Sequence, residues 1–219
     1  MRVPMIGLAF LLAGCSHVTR PDEVPISSPH YVTFYQVQLV CPAAPRIGCG
    51  SAAKPLLLEL ERQPGVNGAW LNRSGTVIAI VWEPATSFRQ RSNASRIASG
   101  KELTGAAEKP VRENFFSRTN NWFRGREVDR LSEEEADIIA ARLVRRTLAR
   151  SPLPQETAGA LHRLIAETAR RAFIDPENNP REQLEDRART RARGLLNEQQ
   201  FAAFEEAYAG GWRPLPNEQ

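Results

Sequence analysis

Three cysteines in 219 residues are too few for a disulfide-dense scaffold and too few for a four-cysteine zinc centre. Methionine is scarcer still. Both copies, Met1 and Met5, sit in the first five residues, which excludes a Met-rich copper site further along. Only three histidines are present: His17 and His30 in a polar stretch, and His162 beside Arg163 on the polar side of a helical pattern. None has the company a catalytic base needs, and no H-E-x-x-H, G-x-S-x-G, P-loop or dinucleotide fingerprint occurs. Glu182, Glu185 and Asp186 lie among Arg187 and Arg189, a charge-laced solvated face rather than a glycosidase pair. An enzyme is not expected. The net charge of +4 comes with no basic-aromatic motif, so nucleic acid is excluded as a partner. With 42% hydrophobic and 25% charged residues the composition is ordinary and globular.

The one long apolar run, Val3 to Leu12, is too short to cross a bilayer as a helix, which takes about 20 residues. It follows Arg2 and ends in Leu12-Ala13-Gly14-Cys15, the size and flanks of a secretory signal peptide. The Leu-Ala-Gly-Cys ending resembles the lipobox of bacterial lipoproteins. That resemblance implies a signal peptide over 1–14, a lipidated Cys15 as the mature N-terminus, and anchoring by several acyl chains. Ser16 after the cysteine, rather than Asp, points in that family to the outer membrane of a two-membrane cell. Residues 15–30 read as a lipidated tether. The polar, proline-bearing stretch Ser16–His30 could span about 45 Å at ~3.1 Å per residue.

Beyond the tether the chain has two periods. Tyr31–Val40 alternates as a strand, with Tyr35, Val37 and Leu39 on one face. A Pro- and Gly-punctuated loop, Cys41–Gly50, leads to a helix with Ser51 as its expected N-cap and Ala53, Leu56, Leu57 and Leu60 on its apolar stripe. Two further strands, Val66–Leu71 and Thr76–Trp82, flank the hairpin turn Asn72-Arg73-Ser74-Gly75. The second is apolar on both faces, so something must cover each. Residues 85–100 read as a loop, Glu102–Ser117 as a helix, and Trp122–Val128 as a fourth strand. From Ser132, expected to open a capping box with Glu135, the period becomes helical. Ala136, Ile139, Ala140, Leu143, Val144, Thr147 and Leu148 form its stripe, and helices follow at about 155–173, 180–195 and 198–209. The doubly apolar strand is the surface offered to these helices.

The stretch from Gly48 to Pro84 carries Gly48-Cys49 in a loop, Gln63-Pro64-Gly65-Val66 after the helix, and Trp82-Glu83-Pro84 after the third strand. It resembles the heavy-metal-associated domain of copper chaperones and mercury-binding proteins. The resemblance implies a ferredoxin-like βαββαβ fold and a site for Cu(I) or another soft metal in the loop. The second thiolate of the family motif would fall at Ala52 and is missing, and two soft thiolates are what select such ions. Cys41 is the only sulfur left to join Cys49. The same pair, in an oxidising envelope, is also a candidate Cys41–Cys49 disulfide. Cys49, just ahead of a helix N-terminus, has the setting that lowers a thiol pKa, so thiol sensing is a third use.

The expectation is therefore an α+β chain: a ferredoxin-like βαββ(αβ) domain over 31–129, then a C-terminal region of about four amphipathic helices over 130–219. It is expected to be a periplasm-facing, outer-membrane lipoprotein acting as a binding module through Cys41 and Cys49. The alternative is a structural or interaction lipoprotein with a Cys41–Cys49 disulfide and no metal. Expected partners are the membrane, through the anchor, and an envelope protein.

Overall fold

The computed structural model describes residues 31–117, 121–179 and 181–218. The signal segment, Cys15, the tether with His17 and His30, and Pro180 lie outside them. The chain is mixed α and β, with a five-stranded antiparallel sheet in the order β4-β1-β3-β2-β5. Its strands are β1 (Val32–Gln36), β2 (Val66–Asn72), β3 (Val77–Trp82), β4 (Lys101–Glu102) and β5 (Trp122–Arg124). Helices α1 (Gly50–Glu61), α2 (Phe88–Ala98) and α3 (Glu108–Phe116) are interleaved with the strands. Helices α4 (Asp129–Leu148), α5 (Gln155–Ile174), α6 (Arg181–Leu195) and α7 (Glu198–Ala209) follow.

β3 is buried along its whole length because both its faces are covered. Ile78, Ile80 and Trp82 join Tyr35, Leu71, Leu57 and Leu60 on the side that carries α1 and α2. Val77, Ala79 and Val81 join Val32, Phe34 and Phe115 on the other side, where Val111, Phe116 and Trp122 close the cluster. That second cover corrects the expectation for α4–α7: α3 supplies it, and the four helices stack beyond α1. α1 touches β2, α2, α4 and α5, and one cluster of buried side chains runs from Tyr35 to Trp212.

Residues 85–100 hold a helix, not a loop. Ser87 caps it through a reciprocal bond with Gln90. Only Ala94 and Ala98 of α2 are buried, so the apolar period was too faint to read. Lys101–Glu102 forms the short edge strand that pairs with β1, and Trp122–Arg124 is a fifth strand paired with β2. The expected helix over 102–117 shrinks to a 3-10 turn, Gly105–Ala107, and α3. The hairpin turn is as expected, with Gly75 at φ +73° and its N–H bonded to the Asn72 carbonyl at 2.9 Å. Asn197 and Gln200 form the capping box of α7.

Two N-termini are set by packing rather than by caps. The N-cap of α1 is Cys49, not Ser51, and it makes no side-chain cap bond. α4 begins three residues before Ser132, whose side chain is fully buried inside the helix. The reason is a close approach at Gly50. A Cβ there would overlap the Val128 carbonyl and the Ser132 hydroxyl, so only glycine lets α1 start against α4. Gly48 likewise lies against the hairpin, where an added Cβ would come 3.0 Å from Gly75 Cα. Gly50→Ala is expected to destabilise the fold by about 1–3 kcal/mol in urea denaturation, as overpacking does. Gly194→Ala, where an added Cβ meets nothing within 4 Å, is expected to be neutral or stabilising by up to about 1 kcal/mol.

Candidate functional site

The Cys41–Cys49 loop is a closed unit of backbone hydrogen bonds. An isolated antiparallel bridge joins Val40 to Gly48. Around it the Cys41 N–H donates to the Ile47 carbonyl at 2.9 Å and the Cys49 N–H to the Leu39 carbonyl at 2.7 Å. Residue 41 therefore stands opposite residue 47, and residue 49 lies two further along on the same face. The two cysteines are diagonal neighbours, a placement in which side chains reach each other across strands. Between them Ala43, Ala44 and Ile47 point into the core, while Pro42, Pro45 and Arg46 face out.

Both cysteines are free thiols at the two ends of the loop, and their surroundings differ sharply. Cys41 is fully buried. Its sulfur accepts from the Ala44 N–H at 3.3 Å, and the buried Glu135 of α4 acts on its titration. Cys49 is half-buried at the N-terminus of α1, with the Ser51 hydroxyl 3.3 Å from its sulfur and the backbone N–H groups of Ser51 and Ala52 directed at it. The thiolate forms at Cys49. The neighbouring Cys41 and these donors pull its pKa down to about 5, against the opposing effect of burial. Cys41 moves the other way, raised first by the neighbouring Cys49, then by burial and by Glu135.

The far wall of the site was not legible in the sequence. The apolar stripe of α4 predicts Leu148 inside; it is exposed, and the buried arc turns instead through Glu135, Arg142 and Arg146. These two arginines hold the segment after α7. Arg142 Nη1 donates to the Trp212 carbonyl at 2.5 Å. Arg146 donates to the Gly211 and Arg213 carbonyls at 2.6 and 2.8 Å and pairs with Glu218 at 2.6 Å. The Glu218 carboxyl is held down at about 2, chiefly by the bond from Arg146. Two cavities separate this strap from the cysteine loop. One of about 610 Å³ is bordered by Ala44, Arg46, Arg142 and Glu218. The other, of about 400 Å³, is bordered by Pro42, Ala43, Glu135 and the Gly210–Arg213 turn.

Among the described residues no three His, Cys, Asp or Glu side chains are grouped so as to hold a metal ion. Ala52, where the heavy-metal-associated motif has its second cysteine, is exposed on the first turn of α1. The remaining His162 lies half-buried on α5, away from the loop in the chain. No helix among the described residues is long and apolar enough to cross a membrane. No family model, curated protein or solved structure matches the chain.

In the full chain with Cys15→Ser, iodoacetamide is expected to label Cys49 first, with a rate that rises through a midpoint far below that of an ordinary thiol, near pH 5. Cys41→Ala removes the neighbouring thiol and is expected to move that midpoint up. A Cys49 profile centred near 8.5 and indifferent to Cys41→Ala would contradict the coupling of the two thiols.

Proposed function

We propose that the chain is an outer-membrane lipoprotein, anchored through Cys15 and facing the periplasm, whose Cys41/Cys49 loop is a non-catalytic, redox-responsive thiol site. One observation carries the thiol site: two free cysteines sit at the ends of one closed loop, one half-buried at a helix N-terminus and the other fully buried. An attacking thiolate and a protected second thiol are the two parts that reversible disulfide formation requires. The anchor is supported by Leu12-Ala13-Gly14-Cys15 and the polar segment that follows. The order β1-α1-β2-β3-α2-β4 with sheet order β4-β1-β3-β2 supports a ferredoxin-like frame for the first half. It also supports descent from the heavy-metal-associated architecture, with the loop in the metal-site position. Helices α4–α7 are the region left for an envelope protein partner.

The soft-metal use rests on two sulfurs alone, and one of them would have to ionise in a buried position beside a carboxylate. We therefore read the pair as a dithiol rather than as ligands to Cu(I) or a related ion. The structural alternative, a permanent disulfide, differs in one property: it does not respond to conditions.

The test is to alkylate cells expressing the full chain and count the thiols left at Cys41 and Cys49 by mass spectrometry, before and after brief exposure to a mild disulfide oxidant. A reversible dithiol is expected to be partly reduced at rest, to oxidise within the exposure, and to recover afterwards. A bond fully formed under every condition would replace this reading with a structural staple. Purified reduced protein that protects both thiols with one equivalent of Cu(I), while remaining unresponsive in cells, would replace it with a soft-metal site.

A further inference from the structure

The chain enters the fold at one end of the sheet, and α2 begins at that same end. Val32 pairs with Val81, so Tyr31, which follows the polar residues 16–30, joins the sheet beside Trp82. From there α2 is fastened along β1. The Arg91 guanidinium lies 5.7 Å from the centre of the Trp82 ring, and the Trp82 indole N–H donates to Thr33 Oγ1 at 2.8 Å. Further along, Ser95 Oγ is 2.6 Å from the Tyr35 hydroxyl, and Gly100 lies against Gln36 and Val37 at the far end of β1. Phe88, the first residue of α2, therefore stands at the point of chain entry. It is 86% exposed, the most exposed large hydrophobic side chain among the described residues, and Pro84 and Ala85 are exposed with it. The tip has a fixed shape: the Thr86 hydroxyl reaches the Gly65 and Glu83 carbonyls at 2.9 and 2.7 Å, and Ser87 and Gln90 close a capping box. Its rim is basic. α2 carries Arg89, Arg91 and Arg96 and no acidic residue, and none of the three is in an ion pair among the described residues. Arg89 and Arg96, two turns apart, share the exposed side of the helix. The acids nearby are Glu83, exposed before the helix, and Glu59 of α1, which borders a hollow with Arg96 and pairs with Arg62 at 3.4 Å. A lone exposed phenylalanine is ordinary, but one that caps a basic helix beside the chain's entry is not.

Resting on the reading of Cys15 as a lipid anchor, we propose that the N-terminus of α2 is a membrane-docking tip. Phe88 enters the headgroup region of the bilayer that holds the anchor, and Arg89 and Arg96 meet anionic phospholipid headgroups. Apolar burial and attraction to anionic lipid are the two parts of interfacial binding. This contact is too small to hold a free protein on a membrane. On an anchored chain it has only to overcome the freedom of the tether, because the anchor keeps the tip at high effective concentration near the surface. The fixed shape of the tip keeps the cost of ordering low. Docking also orients the thiol site. The Cys41–Cys49 loop lies at the opposite end of the sheet, against the hairpin, where the Leu39 N–H donates to the Gly75 carbonyl at 2.8 Å and the Gly48 N–H to the Arg73 carbonyl at 2.7 Å. With Phe88 in the lipid, that loop faces away from the membrane, toward soluble reactants.

The experiment uses the full chain as cells process it, reconstituted into phosphatidylcholine vesicles with or without phosphatidylglycerol, part of the lipid being brominated high on its acyl chains. Phe88→Trp places a reporter at the tip, and its emission is read against the parent, which has Trp70, Trp82, Trp122 and Trp212. With phosphatidylglycerol present the added tryptophan is expected to be quenched by the bromines, and high salt to relieve the quenching. Leu148→Trp, at the exposed end of α4, is expected to stay unquenched. Adding Arg89→Glu and Arg96→Glu to Phe88→Trp is expected to lower the ratio of docked to free tips at least about fivefold, since one basic side chain near an anionic surface contributes about that factor. All the substituted side chains are exposed, so the fold is expected to stand in each variant. A Phe88→Trp reporter quenched no more than the parent would overturn the docking tip. Quenching that is equal in both lipid mixtures and indifferent to the two glutamates would overturn headgroup recognition. Equal quenching of Leu148→Trp would overturn the proposal too, since no one face would then be turned to the lipid. If mass spectrometry finds Cys15 unmodified, the failure lies in the anchor reading itself, and this inference falls with it.

Discussion

The close seat of α1 between the β2–β3 hairpin and α4 governs the rest of the structure. Gly48 brings the chain against Gly75, and Gly50 brings it against Val128 and Ser132. The residue between these contacts has little freedom in where its side chain goes. That residue is Cys49, and its position at the mouth of α1 follows from two glycines rather than from a capping side chain. The same seat places α4 beside the cysteine loop, so that Glu135 borders one cavity with Pro42 and Ala43 of the loop.

From this geometry the chemistry of the pair follows by asymmetry. The neighbouring Cys41, the Ser51 hydroxyl and helix-terminal N–H groups favour charge on Cys49. Burial and Glu135 disfavour it on Cys41. Each effect acts on the reduced state, and stabilising a dithiol relative to its disulfide makes that disulfide easier to reduce. The loop is thereby set apart from a staple, for which the reduced form has no special stability. The strap beyond α7 adds an outer wall. Arg142 and Arg146 satisfy carbonyls of the 211–213 turn and the Glu218 carboxylate, so the helical half holds the cavities in front of the loop in a defined shape.

Much of the frame was legible from pattern alone. Alternation marked β1, a continuous apolar run marked β3, the turn residues marked the hairpin, and the 3.6-residue period marked α4, α5 and α7. What escaped has physical causes. α2 buries two alanines and little else, so no stripe announces it, although Ser87 and Gln90 in hindsight carry a capping-box signature. The edge strand Lys101–Glu102 is two exposed charged residues and has no pattern to read. Ser132 and Glu135 resembled a helix start because their spacing fits one. In the fold both are buried within α4, since tertiary contact at Gly50 sets the helix boundary. The cysteine pair itself was found by elimination among few sulfurs. Glu135, Arg142 and Arg146 could not be, because burying a charge depends on partners that only the fold brings near.

The central claim is that Cys41 and Cys49 form a reversible dithiol, and equilibrium oxidation tests it most directly. The full chain with Cys15→Ser would be brought to equilibrium in a series of glutathione redox buffers, alkylated, and read by mass spectrometry. A two-electron transition between dithiol and intramolecular disulfide is expected at a potential above about −300 mV, the region of labile pairs. A midpoint below that value, or glutathione adducts on Cys49 with no Cys41–Cys49 bond at any ratio, would contradict it.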